Sequence, residues 1–160
     1  MLLLNFQFTS LSSFSYSLWV KEENMISAAA ACFYFRDDLF GEPYAGIMRG
    51  GESPEIHFQV GVTSTNGPLI ILYQQSYTNK YVHYCLVYNK GEILAYINGD
   101  LVGKKTQNAI VDGKYSAIAR SWYNVNTTTR FTCTIDEVRI YNRALTEEEI
   151  KTLYNDRNRK

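Results

Sequence analysis

Nowhere in this 160-residue sequence does an apolar run approach the length that a membrane-spanning helix requires, so insertion of a helix into a bilayer is not expected. Charge of one sign is equally scarce. Sixteen Lys and Arg balance sixteen Asp and Glu, and no Lys/Arg-dense stripe collects the basic ones. That excludes an electrostatic grip on nucleic acid or an anionic membrane surface as the basis of action. With two histidines and three scattered cysteines, no zinc-ligand spacing exists. Cys32, Cys85 and Cys133 are odd in number and each lies in an apolar or alternating run. Buried free thiols in a reducing compartment are therefore expected, not a disulfide framework. No secretory signal is expected in Met1-Leu2-Leu3-Leu4, which has no basic flank and is interrupted by Asn5 and Gln7. Synthesis and folding in the cytoplasm, without a signal peptide, are the expectation, and Asn126-Thr127-Thr128 then reads as an ordinary polar loop despite matching a glycosylation sequon.

What the chain has in quantity is aromatic residues, thirteen Tyr and eight Phe, which suit a β-rich protein with aromatic contact surfaces. Its length fits one domain that buries roughly 70% of the surface its unfolded chain exposes. The most informative stretch is Phe131 to Tyr154. Ile135, Val138, Ile140 and Tyr141 are interleaved with charges, as in a strand with one face in a core. The period then changes to that of a helix. Thr146 and Glu149 have capping-box spacing, Leu145 and Ile150 have staple spacing, and Glu147, Glu148 and Glu149 put negative charge at the positive end of the dipole. Ile150, Leu153 and Tyr154 form one apolar stripe, so a short helix over about 146–155 must dock on the sheets to persist.

Along the rest of the chain, Leu2–Phe8 and Phe14–Val20 read as strands joined by a Ser-rich turn over Thr9–Ser13. In the second strand Phe14, Tyr16 and Leu18 share one face and Ser15, Ser17 and Trp19 the other. Glu22–Asn24 is a turn, and Ala28–Phe35 reads as a strand although its alanines favour helix. Arg36–Pro54, punctuated by glycine and proline, is the least regular part. Ile56–Thr63, Leu69–Tyr77 and a strand from Tyr81 follow, then Asn98-Gly99, a type I′ hairpin signal. Lys114–Arg120 and Phe131–Tyr141 finish the sheets around a polar loop over Ser121–Arg130. About eleven strands without an internal repeat make an all-β, two-sheet antiparallel sandwich the economical fold.

Two segments carry a family resemblance: Ile135–Tyr154, IDEVRIYNRALTEEEIKTLY, and Tyr81–Val102, in which YVHYCLVYN, a turn and LAYINGDLV follow one another. The chain resembles the laminin G-like, concanavalin A-like lectin/glucanase jelly rolls over roughly residues 81–155. That implies a single jelly-roll domain over 1–160 with a short C-terminal helix. Tyr81, Asn89 and Cys133 depart from the Trp, Asp and Gly usual in the family at those places.

Glucanases of this fold carry Glu-x-Asp-x-x-Glu on one strand, which sets paired carboxylates on one face for glycoside cleavage. No such run occurs here. Asp136 and Glu137 are adjacent and point to opposite faces unless a bulge intervenes. Asp136 is read as a buried carboxylate holding backbone amides, and Glu137 as a partner of Arg139 across one face. His83 matches the family's strand histidine and is expected to be a packed, hydrogen-bonded sheet residue. The resemblance leaves calcium open, and oxygens for it would come from Asp37, Asp38 and Glu42, or from Asp112. For ligand binding, Trp122, Tyr123, Asn124 and Asn126 combine rings and amides on one loop, and Tyr73, Gln75 and Tyr77 combine them on one strand face, the mixed lining a sugar requires. The expectation is a non-enzymatic lectin-like module that binds cell-surface glycan, in a phage virion decoration or fibre component. The alternative is a subunit that meets neighbouring copies or a capsid or tail by protein contacts, as a homo-oligomer or particle component. A glycoside-active enzyme comes third, on analogy of fold alone.

Overall fold

A computed structural model describes residues 3–4, 8–22, 30–36, 44–49, 55–61, 67–72, 79–108, 111–113, 115–121 and 133–157. Its elements in order are β1 (Leu3–Leu4), β2 (Phe8–Leu11), β3 (Ser13–Glu22), β4 (Ala30–Arg36), β5 (Tyr44–Arg49), β6 (Glu55–Val60), β7 (Leu69–Leu72), β8 (Tyr81–Asn89), β9 (Glu92–Ile97), β10 (Asp100–Thr106), β11 (Val111–Gly113), β12 (Tyr115–Ser121), β13 (Cys133–Tyr141) and the helix α1 (Glu147–Arg157). One sheet has the order β1-β12-β4-β5-β6-β7, the second β10-β9-β8-β3-β13, and β11 pairs with β2 in a small third sheet. The two large antiparallel sheets make the sandwich expected from the sequence.

The alternation in β3 decides where everything packs. Phe14, Tyr16, Leu18 and Val20 are at most 2% exposed and meet Ala45, Ile47, Ile56, Phe58 and Val60 of the opposite sheet, together with Val82, Tyr84, Leu86, Ile93 and Ala95. The other face of the same sheet is buried too. There Cys85, Val87 and Tyr96 form a second cluster with Leu145 and Ile150, the staple pair that seats α1. The capping box forms as expected: the Thr146 hydroxyl accepts the Glu149 amide at 3.3 Å, and the Glu149 carboxylate accepts the Thr146 amide at 2.8 Å.

Some expectations are corrected. Of the strand expected over Leu2–Phe8, Leu3–Leu4 joins β12 while Phe8 begins a strand, Phe8–Leu11, that joins β11. Thr9 and Ser10 therefore lie within a strand, their backbone groups supplied by a distant partner, and the turn contracts to Ser12. Within the segment read as irregular, Tyr44–Arg49 forms a central strand of the six-stranded sheet, with Ala45 and Ile47 fully buried. Its glycine-rich flanks hid a short alternation. Asp136 is exposed, not buried, although it does accept the Glu137 amide at 2.8 Å. Cys133 is half-buried, whereas Cys85 is fully buried with a free thiol. Burial pushes the Cys85 thiol far above its ordinary range. Cys32 lies in β4, and its side chain is outside the described residues.

Candidate functional site

The registers sort the connections by end. On the six-stranded sheet Ala30 pairs with Arg49 and with Ser121, Arg49 with Ile56, and Glu55 with Leu72, so these residues share one end. On the five-stranded sheet Lys21 pairs with Tyr81 and Glu22 with Cys133, and the β9–β10 hairpin, Asn98-Gly99, turns at that same end. The connections 23–29, 73–80 and 122–132 all cross between sheets there. Two of them carry the residues expected to bind ligand. Tyr73, Gln75, Tyr77, Trp122, Tyr123, Asn124 and Asn126 themselves lie outside the described residues. Their flanks do not: the chain re-enters at Tyr81 and at Cys133 on strands β8 and β13, which flank β3 two strand spacings, about 10 Å, apart. The Asn79 amide ties the first of these connections to the Glu22 carbonyl at 2.8 Å.

Asp37, Asp38 and Glu42, the residues considered for calcium, also lie outside the described residues. Their flanks, Arg36 and Tyr44, pair with each other at the opposite end of the sandwich. The structure thus separates the flanks of this stretch from those of the two aromatic ones. Asp112 is in β11 with its side chain outside the described residues, and among the described residues no three His, Cys, Asp or Glu side chains gather.

Beneath the candidate end, on the helix-covered face, a packed cluster supports the rim. Trp19 and His83 are cross-strand partners whose rings lie 5.1 Å apart, and Tyr154 of α1 stacks on Trp19 at 5.5 Å with 15° between planes. His83 Nε2 lies 2.8 Å from the Ser17 hydroxyl. Its backbone amide donates to the Asn98 side-chain oxygen at 3.0 Å, and its carbonyl accepts the Asn98 amide at 2.8 Å. The hairpin is thereby pinned to β8. Asn98 and Gly99 have φ of 54° and 86°, the two positive angles a type I′ turn needs. Burial, with the Arg139 guanidinium adding to it, lowers the His83 pKa to about 4, so the ring is neutral at pH 7. Ser17 is 2% exposed and Trp19 4%, which closes the Ser–His contact to an incoming carbonyl. Its chemistry is structural: it fixes the imidazole, as expected for His83.

Glu137 and Arg139 form the expected ion pair, at 2.5 Å. The register around them shows what the sequence concealed. Asp136 pairs with Trp19 and Arg139 with Ser17, so Glu137 and Val138 together oppose Leu18 in a bulge, with Glu137 at φ 51°. Sequence reasoning also missed the Trp19–Tyr154 stack. The signal for it was present in the two stripes, Ser15/Ser17/Trp19 on the strand and Ile150/Leu153/Tyr154 on the helix, which had to meet.

The pattern of the Concanavalin A-like lectin/glucanases superfamily matches residues 3–151. The chain belongs to that superfamily. None of the curated proteins matches this concanavalin A-like chain in sequence. Among solved structures it resembles one of botulinum neurotoxin type C, whose cell entry is dependent upon interaction with two ganglioside molecules, at 18% identity and TM-score 0.73 over 92% of this chain and 36% of that one. It also resembles domain 4 of AbnA, a GH43 extracellular arabinanase from Geobacillus stearothermophilus in complex with arabinotriose, at 22% identity and TM-score 0.70, covering 92% and 68% of the two chains. A Trypanosoma rangeli sialidase in complex with 2,3-difluoro-KDN matches at 15% identity and TM-score 0.70, over 95% of this chain and 27% of that one. These likenesses establish the shared fold. The chain spans little more than a third of the matched neurotoxin chain.

Proposed function

We propose that this concanavalin A-like domain is a non-enzymatic glycan-recognition module whose binding surface is the end carrying connections 73–80 and 122–132. The observation that supports the reading is that the flanks of two aromatic and amide-rich stretches share one end, beside a hairpin and an aromatic cluster. Rings supply a flat apolar surface for a pyranose face, and carboxamides supply paired donors and acceptors for its hydroxyls. Structural neighbours solved with arabinotriose or described through gangliosides support glycan as the ligand class. In this reading Trp122 and Tyr123 stack on sugar, Asn124 and Asn126 fix its orientation, and Tyr73, Gln75 and Tyr77 extend the surface. The alternative, a particle subunit held by protein contacts, draws on one described feature, the exposed Ile70 and Leu72 on the edge strand β7.

The test is a glycan array that includes gangliosides and arabino-oligosaccharides, probed with the wild-type chain and with Trp122→Ala. The expected result is a defined set of glycans bound by the wild type and lost in the variant, with unchanged far-UV circular dichroism. A variant that keeps the signal removes that stretch from the site. A wild type that binds no glycan overturns the reading.

A further inference from the structure

Three elements meet on one buried imidazole. The ring of His83 on β8 is fully buried, 5.1 Å from that of Trp19 on β3 and 6.1 Å from that of Tyr154 on α1. Its backbone amide and carbonyl both bond Asn98, and Tyr154 rests on the same hairpin, since a Cβ at Gly99 would lie 3.3 Å from the Tyr154 ring. His83 thus joins α1 to the hairpin at the candidate end. Its two ring nitrogens are provided for unequally. Nε2 lies beside the Ser17 hydroxyl, which can accept or donate, whereas Nδ1 is buried with no hydrogen-bond partner among the described residues. In the neutral ring Nδ1 can remain a bare acceptor. In the imidazolium both nitrogens are donors, and the Nδ1 proton would have nothing to accept it. Arg139 on β13 and Lys21 on β3 bring like charge to this face, while Tyr81, Tyr96 and Tyr154 bring hydroxyls and Cys85 a thiol that burial keeps protonated. The carboxylates of the neighbouring elements are engaged elsewhere. Asp136 accepts the Glu137 amide, Glu137 pairs with Arg139 and Glu147 with Lys151, on which Asp100 also acts, and Asp156 is exposed.

We propose that His83 is an acid-operated latch: when its ring takes up a proton, the C-terminal half of α1 peels from β8 and β3 and the Asn98-Gly99 hairpin loosens, while the sandwich stays folded. Opening lets water reach Nδ1 and the new charge. The change is local because α1 is held at two separate places. Its start is fixed by Ser15 and by Leu145 and Ile150, in a cluster apart from the core between the sheets. Its second half, with Leu153 and Tyr154 only half-buried, lies over the His83 and Trp19 rings. The closed form titrates at about 4 and a released ring near 6.5, so the open form gains as pH falls from 6.5, up to about tenfold per unit, and gains no more below 4. Down to pH 4.5 the gain is about 100-fold, in a range where the Glu149 cap of α1 is still in place. The consequence for ligand rests on the glycan reading above. Hairpin and helix border the end that carries connections 73–80 and 122–132, so acid slackens that rim and releases sugar bound at neutral pH.

The test is hydrogen exchange read by mass spectrometry at pH 7 and pH 4.5, with protection corrected for the intrinsic rate at each pH, on the wild type, His83→Gln and Arg139→Gln. In the wild type, protection over residues 151–157 and 96–101 should fall by up to about 100-fold between the two pH values, with 14–20 and 55–60 unchanged. His83→Gln should show no such fall. Arg139→Gln keeps the imidazole and removes a neighbouring cation, so its fall should persist but shrink, because the closed ring then titrates nearer its ordinary value. Unchanged protection in the wild type, an equal loss in the core strands, or the same fall in His83→Gln overturns the latch. Where His83→Gln leaves α1 unseated at both pH values, Arg139→Gln decides, and an undiminished fall there overturns it. In parallel, immobilised ganglioside and arabino-oligosaccharide are probed with the wild type at both pH values. Retention at pH 4.5 of a glycan bound at pH 7 overturns control of the site by the latch. Binding to neither probe at pH 7 counts against the glycan reading and leaves the exchange result to stand.

Discussion

Replacing Ser15 by Ala removes one oxygen atom and should loosen the whole C-terminal clasp. Ser15 is fully buried between Val87 of β8 and Tyr141 of β13. Its hydroxyl donates to the Arg143 carbonyl at 2.9 Å and accepts the Leu145 amide at 3.0 Å, just before α1 begins. Leu145 is 6% exposed, so without the hydroxyl its amide is left buried and unsatisfied, at about 1–3 kcal/mol. The lost bond to the Arg143 carbonyl adds about 1 kcal/mol. The sum, about 2–4 kcal/mol, corresponds to a fall in Tm of roughly 5–15 °C for a chain of this size. Urea unfolding followed by circular dichroism and by tryptophan fluorescence measures it, with Ser13→Ala as the control. The Ser13 hydroxyl bonds Asn89 at 3.1 Å in an exposed position, and its loss should cost no more than about 0.5 kcal/mol. If Ser15→Ala is as mild as that control, the clasp does not depend on the hydroxyl and the reasoning fails.

The remaining predictions concern pH and charge. His83 titrates at about 4 in the fold against an ordinary 6.5, so the unfolded chain takes up the proton first, and stability should decline as pH falls from about 6.5 toward 4, by up to about 3 kcal/mol. His83→Gln should flatten that limb in a plot of urea midpoint against pH, and an unaltered limb would assign it to another group. Glu149 is held down to about 2, chiefly by its bond to Arg143 and then by the Thr146 amide, so its contribution is present above about 4.5 and lost as pH falls toward 2. Glu149→Gln should therefore lower Tm at pH 7, more at low salt than at high, and leave Tm at pH 2 almost unchanged. An equal deficit at both pH values would contradict the assignment.

The parts of the fold legible in the sequence were those whose physics is local. Thr146 and Glu149 are three residues apart and cap the helix they announce; Asn98-Gly99 needs only its own two dihedrals; the alternation Phe14 to Trp19 divides the two faces without knowledge of a partner. What escaped depends on contacts far apart in the chain. The bulge at Glu137 exists relative to Leu18, more than a hundred residues away, and the Ser15 clasp spans 128 and 130 residues. Tyr44–Arg49 is a strand because β4 and β6 flank it, not because its glycine-bearing sequence favours one. For the candidate site, the residue types were readable and so was the family. The sequence held no sign that connections 73–80 and 122–132 share an end, since only strand order and register place them there.

The position of β3 carries a lesson for how the chain is made. Its neighbours are β8 and β13, so one flank of this interior strand is completed only by the last strand among the described residues. While a ribosome still holds Cys133–Tyr141, the nascent chain presents the strand of Ser15, Ser17 and Trp19 with half its backbone groups unmatched, an invitation to mispairing. Folding to the native state must wait until Cys133–Tyr141 has emerged, and chains cut short before Cys133 should be recovered as aggregate or bound to chaperones.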